Sequence, residues 1–546
     1  MVACGSTSTK SLLNDTSHNQ EDYNSRKEKA MKNDKMIKEL SCLALAATVG
    51  FVSFADTFPN AGGDIASETE WGGPVPSTVT LNKTGTYTVG GDISLTTMVL
   101  AGGNVTFDLT DPSSGKVTVS GDGNRNGFYI SNEGNNTTNY IRGGLWDFSK
   151  TCSFGLSRTS SSSGNAQFSQ LTVSDGAVIT NCYRVKVSFR QPPFTNELTL
   201  TGNDTTLHTI GEVNVSRYDG DITGTKAHLR ILDGARFLYP GAEFYVDFCS
   251  AEVAPSRADT SVIVSGVGSL LSGKALYIGG RYRSGASVSI CNEGALRMTG
   301  KMYIGYEAHS ADTCVIVTSN GTANVSSIAV GHVATAHGNS LIVSDGGSCS
   351  VADYIYCGSA GNKTIISNAV VNCSTFRFTS GESNALHVCG SSGVLNCNSF
   401  YFGNGSGIAT NAMVVLAGKS PSIVVNGGLE YDVVGGYPSS GTLCFKVPRG
   451  GYGGIPFRFT GTANFRANIS YDVDLSECLS GTREAFTTTL IETGGTLTVN
   501  AAQFAAAQES VAAQLDAVNW RGSLEKVGNS LVLTARPTIG LMMIIK

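Results

Sequence analysis

Short apolar runs, each closed by a polar or glycine turn, recur along the chain at a nearly constant interval. ALYIG (275–279), KMYIG (301–305) and SIAVG (327–331) each end on a glycine 26 residues after the last. Tyr356-Cys357-Gly358 follows after 27 residues and Phe400-Tyr401-Phe402-Gly403 after a further 45, with Phe376-Arg377-Phe378 filling the coil between them. A second series keeps step: SVIVSGVGS (261–269), SVSICNEGA (287–295), CVIVTSNGT (314–322), SLIVSDGGS (340–348), KTIISNAVV (363–371), ALHVCGSSG (385–393) and AMVVLAGKS (412–420). LTVSDGA (171–177) and LRILDGA (229–235) are earlier, less evenly spaced members. β-Branched runs closed by Asn, Asp or Gly are the mark of a strand followed by a turn. Two strands per repeat are visible, and a third, weaker one is expected in the remaining residues.

The interval selects the architecture. A propeller blade needs about 40 residues and four strands, whereas the shortest period here is 24. The spaced leucines and asparagine ladder of leucine-rich repeats are missing, and no six-residue step suggests a left-handed β-helix. The prediction is an all-β fold: a right-handed, single-stranded parallel β-helix, capped at both ends, with one short helix near the C-terminus. In such a coil each residue stacks on its counterpart about 4.8 Å away, so like should sit on like. Cys349, Cys373 and Cys397 are 24 residues apart, as are Phe376 and Phe400, and Phe378 and Phe402. They are expected to form columns.

Residues 56–110, with Trp71 and the strand-like 85–110, are expected to form the N-terminal cap and first coils, and 111–445 the β-helix. The period fades after Cys444, so 446–546 are expected to form a C-terminal cap. Within it, 500–517 is the one helical segment, with Phe504, Val511 and Leu515 on a narrow apolar face, and 523–535 a hairpin turning near Gly528-Asn529.

From Met31 the chain reads MKNDKMIKELSCLALAATVGFVSFADT. Lys32, Lys35 and Lys38 precede an apolar stretch from Leu40 to Phe54, with Ser53 and Ala55 at −3 and −1 of a cleavage before Asp56, which reads as a signal peptide over 31–55. Cys42 precedes most of the apolar stretch, which disfavours a lipoprotein. Residues 1–30 are hydrophilic and read as an extension before a start at Met31 or Met36. The expected location is extracellular or at the cell surface, with the periplasm as an alternative.

Composition narrows the partners. Hydrophobic residues make up 41% and charged residues 15%, with 66 glycines and 13 prolines, which argues against disorder. Removing 1–55 takes seven basic and six acidic side chains from 38 and 43, leaving 31 and 37. With no basic stripe, nucleic acid is not an expected partner. No apolar run after the leader reaches membrane-spanning length.

The motifs VIVTSNGTANVSSIAVG (315–331) and LIVSDGGSCSVADYIYCG (341–358) resemble the strand repeats of autotransporter passenger domains. The resemblance covers roughly 168–430 and implies a right-handed β-helix of the pectin-lyase-like fold. One departure is that the chain ends in GLMMIIK with no room after residue 446 for a membrane barrel, so self-translocation is not expected.

Polysaccharide lyases and hydrolases share that fold, so the resemblance also admits a catalytic set. The densest charged stretch, 217–259, offers Asp219, Asp221, Arg230, Asp233, Arg236 and Asp247 as catalytic candidates, alongside Arg217, Lys226, Glu243 and Glu252. Its irregular alternation of sign reads first as a solvated face, with a paired-carboxylate site as the alternative. His332, His337 and His387 lack zinc spacing, and no cofactor or metal motif is present. The leading expectation is a monomeric, secreted or cell-surface protein with a structural or adhesive role and no recognised catalytic site. Its partners would be host or environmental glycans or other surface molecules. A polysaccharide-active enzyme with a site near 217–259 is the alternative. Non-catalytic carbohydrate binding through tyrosines such as Tyr303 and Tyr401 is the third reading.

Without Cys4 and Cys42, twelve of the fourteen cysteines remain after residue 55. No close-spaced pair motif is present, and cysteine also behaves as a small buried hydrophobe. Interior thiols are favoured over a disulfide framework. Thiol titration of the denatured mature protein should therefore return close to twelve free thiols, and a result near zero would reverse that preference.

Overall fold

Alternation of β-branched and polar residues gives each run one face that is buried and one that is wet, and parallel stacking closes the chain around the buried faces. The computed structural model describes residues 56–538, apart from 102, 122–125, 132–135, 151, 157–166, 189–193, 219–225, 250–255, 258, 380, 404–408, 431–432, 435–436, 439, 466–467 and 481–483. The leader region 1–55 thus lies outside the described residues.

The fold is a parallel β-helix. The second series of repeats forms one face, a 16-stranded sheet in which every pairing is parallel. Its members include Lys226–Leu232, Asp259–Ser265, Ser287–Cys291, Cys314–Val317, Ser340–Ser344 and Lys363–Ser367. Register places Val264, Ile290, Val317, Val343, Ile366 and Val388 in one buried column. Each such side chain contributes about 1.5–3 kcal/mol when fully removed from water.

A 29-stranded sheet supplies the other two strands of each coil. Leu270–Ile278 pairs along its first half with Ala295–Met298 and along its second with Lys301–Ile304. The first row of that sheet is the third strand of the repeat, and the second row carries the glycine-closed motifs. Leu276, Met302, Ile328, Ile355, Phe376 and Phe400 form a continuous buried column through it.

The turns after seven strands of the first sheet have a left-handed backbone at Asp175, Asp204, Asp233, Asn292, Asn320, Asp345 and Asn368, with φ between 47° and 66°, and Gly266, Gly390 and Gly418 take the equivalent place after three others. Asp and Asn tolerate that region because their short side chains bond locally. This is why these residues close the strands.

A different constraint fixes the glycines that end ALYIG, KMYIG and SIAVG. A buried ladder runs through Thr313, Asn339, Asn362 and Asn384. Each backbone N–H donates to the next amide: Thr313 to Asn339 Oδ1 at 3.1 Å, Asn339 to Asn362 Oδ1 at 2.9 Å, and Asn362 to Asn384 Oδ1 at 2.9 Å. The amide nitrogens return bonds to backbone carbonyls, Asn339 to Ser310 at 3.2 Å and Asn384 to Ser359 at 2.7 Å. A Cβ on Gly305 would collide with the Asn339 amide, and one on Gly331 with that of Asn362. Both glycines also have φ near +75°. An asparagine ladder is therefore present, though of a different repeat from the leucine-rich one.

The stacked columns are confirmed for phenylalanine and revised for cysteine. Phe376 pairs with Phe400, Phe378 with Phe402, and Cys373 with Cys397. Cys349 does not join them in register; it pairs with Val371, while Val351 stacks on Cys373. The coil between is two residues shorter than 24, with an irregularity between Val351 and Tyr354. Burial pushes the thiols of Cys349 and Cys357 up to about 12.

Parallel pairing also extends into both expected caps, from Asp56–Thr57 to Leu497–Thr498. At the N-terminal end Trp71 closes a one-turn helix, Glu68–Trp71, and its indole donates to Ile65 O at 3.0 Å. A second one-turn helix spans Ser476–Leu479, and both short helices add to the single one expected from the sequence. The expected helix spans Ala501–Asp516, is capped by Asn500, and buries Ala507, Val511 and Leu515, with Phe504 packed alongside. Gln514 covers the last strand of the 16-stranded sheet, accepting from Leu475 N at 2.9 Å and donating to Val473 O at 2.8 Å. This protects an edge that would otherwise template another chain. The hairpin forms from Trp520–Val527 and Ser530–Pro537, turning through Gly528.

Asn362→Ala would leave the backbone and amide N–H groups of Asn339 and the Gly358 carbonyl without their partner. The expected loss is about 2–3 kcal/mol from orphaned buried groups, read as a lowered urea midpoint. Asn396→Ala removes a bond from Asn396 Nδ2 to Asn372 on the outer face, where water substitutes, and should change the midpoint far less.

Candidate functional site

Alternation along the glycine-closed strands puts every second residue on the outer surface, and in-register stacking converts a recurring tyrosine there into a strip. Tyr245, Tyr277 and Tyr303 stand in register. Their ring centroids lie 4.9 and 5.0 Å apart with interplanar angles of 20° and 9°. The column continues through Ala329, Tyr356, Arg377 and Tyr401. At the break left by Ala329, the His332 imidazole meets Tyr303 edge-on at 4.6 Å, and its Nδ1 lies 2.8 Å from the Tyr356 hydroxyl. Tyr306 flanks the column, 4.6 Å from Tyr277.

A second outer column adds Lys301 and Tyr354. The Arg377 guanidinium lies 4.7 Å from the Tyr354 ring centre and 5.6 Å from that of Tyr356, and the Lys301 ammonium 5.8 Å from Tyr354. Glu243 accepts hydrogen bonds from Tyr245 at 2.5 Å and Tyr277 at 3.3 Å. Burial pushes the Tyr245, Tyr277 and Tyr356 phenols up, and the Glu243 charge adds to this for the first two. Burial, with Lys301 nearby, pushes the His332 imidazole down. Both shifts favour the neutral forms, the hydroxyl at Tyr245, Tyr277 and Tyr356 and the uncharged imidazole at His332.

Beside the strip, a groove of about 860 Å³ runs over the corner between the second and third strands of each coil. Its wall is the register column Ser272, Arg297, Asn324, Ser350 and Asn372, with Thr299, Ser326, Ser374 and Asn398 at the corner and Met298, Val325, Val351 and Cys373 beneath. From Ser272 to the rung of Asn398 it crosses six rungs, about 24 Å at the spacing of stacked strands. Its lining contains hydroxyls, amides and one charge, Arg297, and neither Asp nor Glu.

The charged stretch 217–259 does not converge on this groove. Asp219 and Asp221 lie outside the described residues. Arg230 projects from the first sheet and pairs with Glu197 at 3.4 Å. Asp233 occupies the left-handed turn that follows, accepting from Thr201 at 3.0 Å. Arg236 opens the strand Arg236–Val246 and is exposed. Asp247 is fully buried and meets Arg283 at 3.1–3.3 Å, with Ser216 at 3.5 Å. Burial raises the Asp247 carboxyl despite the opposing guanidinium. The four described candidates thus sit on a face of the first sheet, in a turn, in the first row of the 29-stranded sheet and in the interior. Of that stretch, Glu243 reaches the tyrosine strip.

Tyr303 and Tyr401, named from sequence, both stand in the strip. Its other members, Tyr245, Tyr277, Tyr356 and Arg377, and the groove residues Asn324 and Asn372, were missed. The signal was present in the middle tyrosine of ALYIG, KMYIG and DYIYCG. The groove has no such signal, because it depends on the corner between two rows. His337 bonds Thr335 O at 3.2 Å in an exposed loop, and His387 lies on a strand of the first sheet. Among the described residues no three His, Cys, Asp or Glu side chains gather as a metal site, and no helix is long and apolar enough to cross a membrane. No family model, curated protein or solved structure matches the chain.

The Asp247–Arg283 pair supplies a check on whether those residues are structural. Arg283→Met strands a buried carboxylate and should cost about 3–5 kcal/mol, whereas Arg283→Met with Asp247→Asn should recover part of that loss. Thermal unfolding of both variants at pH 7 measures the difference.

Proposed function

We propose that the protein is a non-catalytic binding module that holds a linear, largely uncharged glycan along the groove and tyrosine strip, in an adhesive role outside the cell. The observation that carries this reading is the parallel course of the two features along the coil axis. A rigid strip of half-buried tyrosines offers apolar ring edges and hydroxyls, and the groove beside it offers amides and hydroxyls at each rung. A repeating polar polymer meets such a surface in repeating fashion, and the fixed backbone lowers the ordering cost of binding. The leader-like segment 31–55 supports export. Crossovers between parallel strands of one sheet are right-handed in about 98% of cases, which supports the hand of the autotransporter passengers that the repeats resemble.

A glycan-cleaving enzyme is less well supported, because two carboxylates flanking a bond are its usual requirement and the groove lining contains none.

Affinity electrophoresis and array binding against neutral polysaccharides test the proposal. At least one linear glycan should bind, and Tyr303→Ala and Asn372→Ala should each weaken it about tenfold, equivalent to about 1.4 kcal/mol. No new reducing or unsaturated ends should form. Release of sugar ends, or equal binding by both variants, would overturn the reading.

A further inference from the structure

The outer face of the C-terminal hairpin presents an unbalanced charge arrangement. Ser530–Pro537 is the middle strand of three, pairing with Trp520–Val527 on one side and Phe486–Thr493 on the other. Arg521 stands directly opposite Arg536, and in the adjoining row Ser523, Thr534 and Thr487 stand side by side. These five line a concavity of about 630 Å³.

Like charges placed directly opposite in a sheet are destabilising. Most other outward arginines with a cross-strand neighbour have an acidic partner: Arg142 has Asp108 and Asp175, Arg184 has Glu212, Arg230 has Glu197, and Arg458 has Glu492. Arg521 and Arg536 make no ion pair or side-chain hydrogen bond among the described residues. On the Trp520–Val527 strand the acid on the same face is Glu525, which accepts from Ser523 at 2.7 Å. It lies four residues from Arg521, roughly 13 Å along the strand.

We propose that this concavity is an oxyanion site taking a sulfate or phosphate group, held by the two guanidiniums with the Thr487, Ser523 and Thr534 hydroxyls as further donors. Two positive charges match a tetrahedral dianion, and guanidinium forks bind its oxygens in pairs. A monoanionic carboxylate leaves one charge unmatched. The site is on the C-terminal hairpin, away from the groove residues, and stands whether or not the glycan reading holds. The anion's source is either a free inorganic ion or an ester group on an acidic polysaccharide.

Calorimetry of the full chain with inorganic sulfate, inorganic phosphate, acetate, and a sulfated polysaccharide with its desulfated counterpart tests this. Sulfate or phosphate should bind saturably, acetate at least tenfold more weakly, and Arg521→Gln and Arg536→Gln should each reduce affinity tenfold or more. Tighter binding of the sulfated polymer than of inorganic sulfate would support the site with an ester group as its occupant. Preference for the inorganic ion would support it with a free anion. Without added anion, both variants should melt at or above the wild-type temperature, since a like-charge contact is removed. Asn372→Ala should leave anion binding unchanged. Absence of saturable binding, binding that survives both arginine substitutions, or equal affinity for acetate overturns the proposal.

Discussion

Where a coil of a closed parallel stack turns a corner into the interior, some backbone N–H and C=O groups fall outside the sheet ladders and away from water. An unpaired buried group costs as much as a lost hydrogen bond, so the corner has to supply its own partners. In the middle of this protein the supply is the run Thr313, Asn339, Asn362 and Asn384, each amide serving the backbone of the neighbouring coil. The ladder then dictates the glycines, because Gly305 and Gly331 face the amides at a distance that no Cβ can share. The period of the chain is thus tied to a hydrogen-bonding requirement as well as to the burial of strands.

The remaining structure follows from repetition at one spacing. Inside, the 4.8 Å rung turns recurrent apolar positions into columns of Val, Ile, Leu and Phe. Outside, the same spacing stacks tyrosine on tyrosine, with Tyr277 and Tyr303 almost parallel. The stack is therefore partly self-satisfying, since its ring faces touch each other and its edges and hydroxyls face outward. Departures from the period are where other residues enter the strip. Ala329 interrupts the column and His332 fills it; Arg377 replaces a tyrosine and lies over two others.

Charge is handled coil by coil. Outward acids and bases pair across adjacent rungs, as Lys226 does with Asp259 and Arg142 with Asp175. Asp247 and Arg283 take the same cross-coil pairing inside, where desolvation is heaviest and each ion depends on the other. The hairpin arginines break this habit, and the strip and groove avoid it by carrying few charges. These differences separate surfaces that complete themselves from surfaces that leave groups for a partner.

Local pattern alone determined that this chain makes short strands at a 24–27-residue interval, that Asn, Asp and Gly close them, and that Phe376, Phe378 and Cys373 stack on their counterparts. These are consequences of neighbours in sequence or of one fixed step, so they are legible without coordinates. The helix at Ala501–Asp516 and the turn at Gly528 are legible for the same reason. Tertiary structure decided the rest. Cys349 left the thiol column because one coil is two residues shorter, a change invisible unless the register is known. The candidates Arg230, Asp233, Arg236 and Asp247 were scattered because strands and turns of one coil point in different directions. The groove and the facing hairpin arginines exist through contacts between separate strands, which no single stretch of sequence encodes.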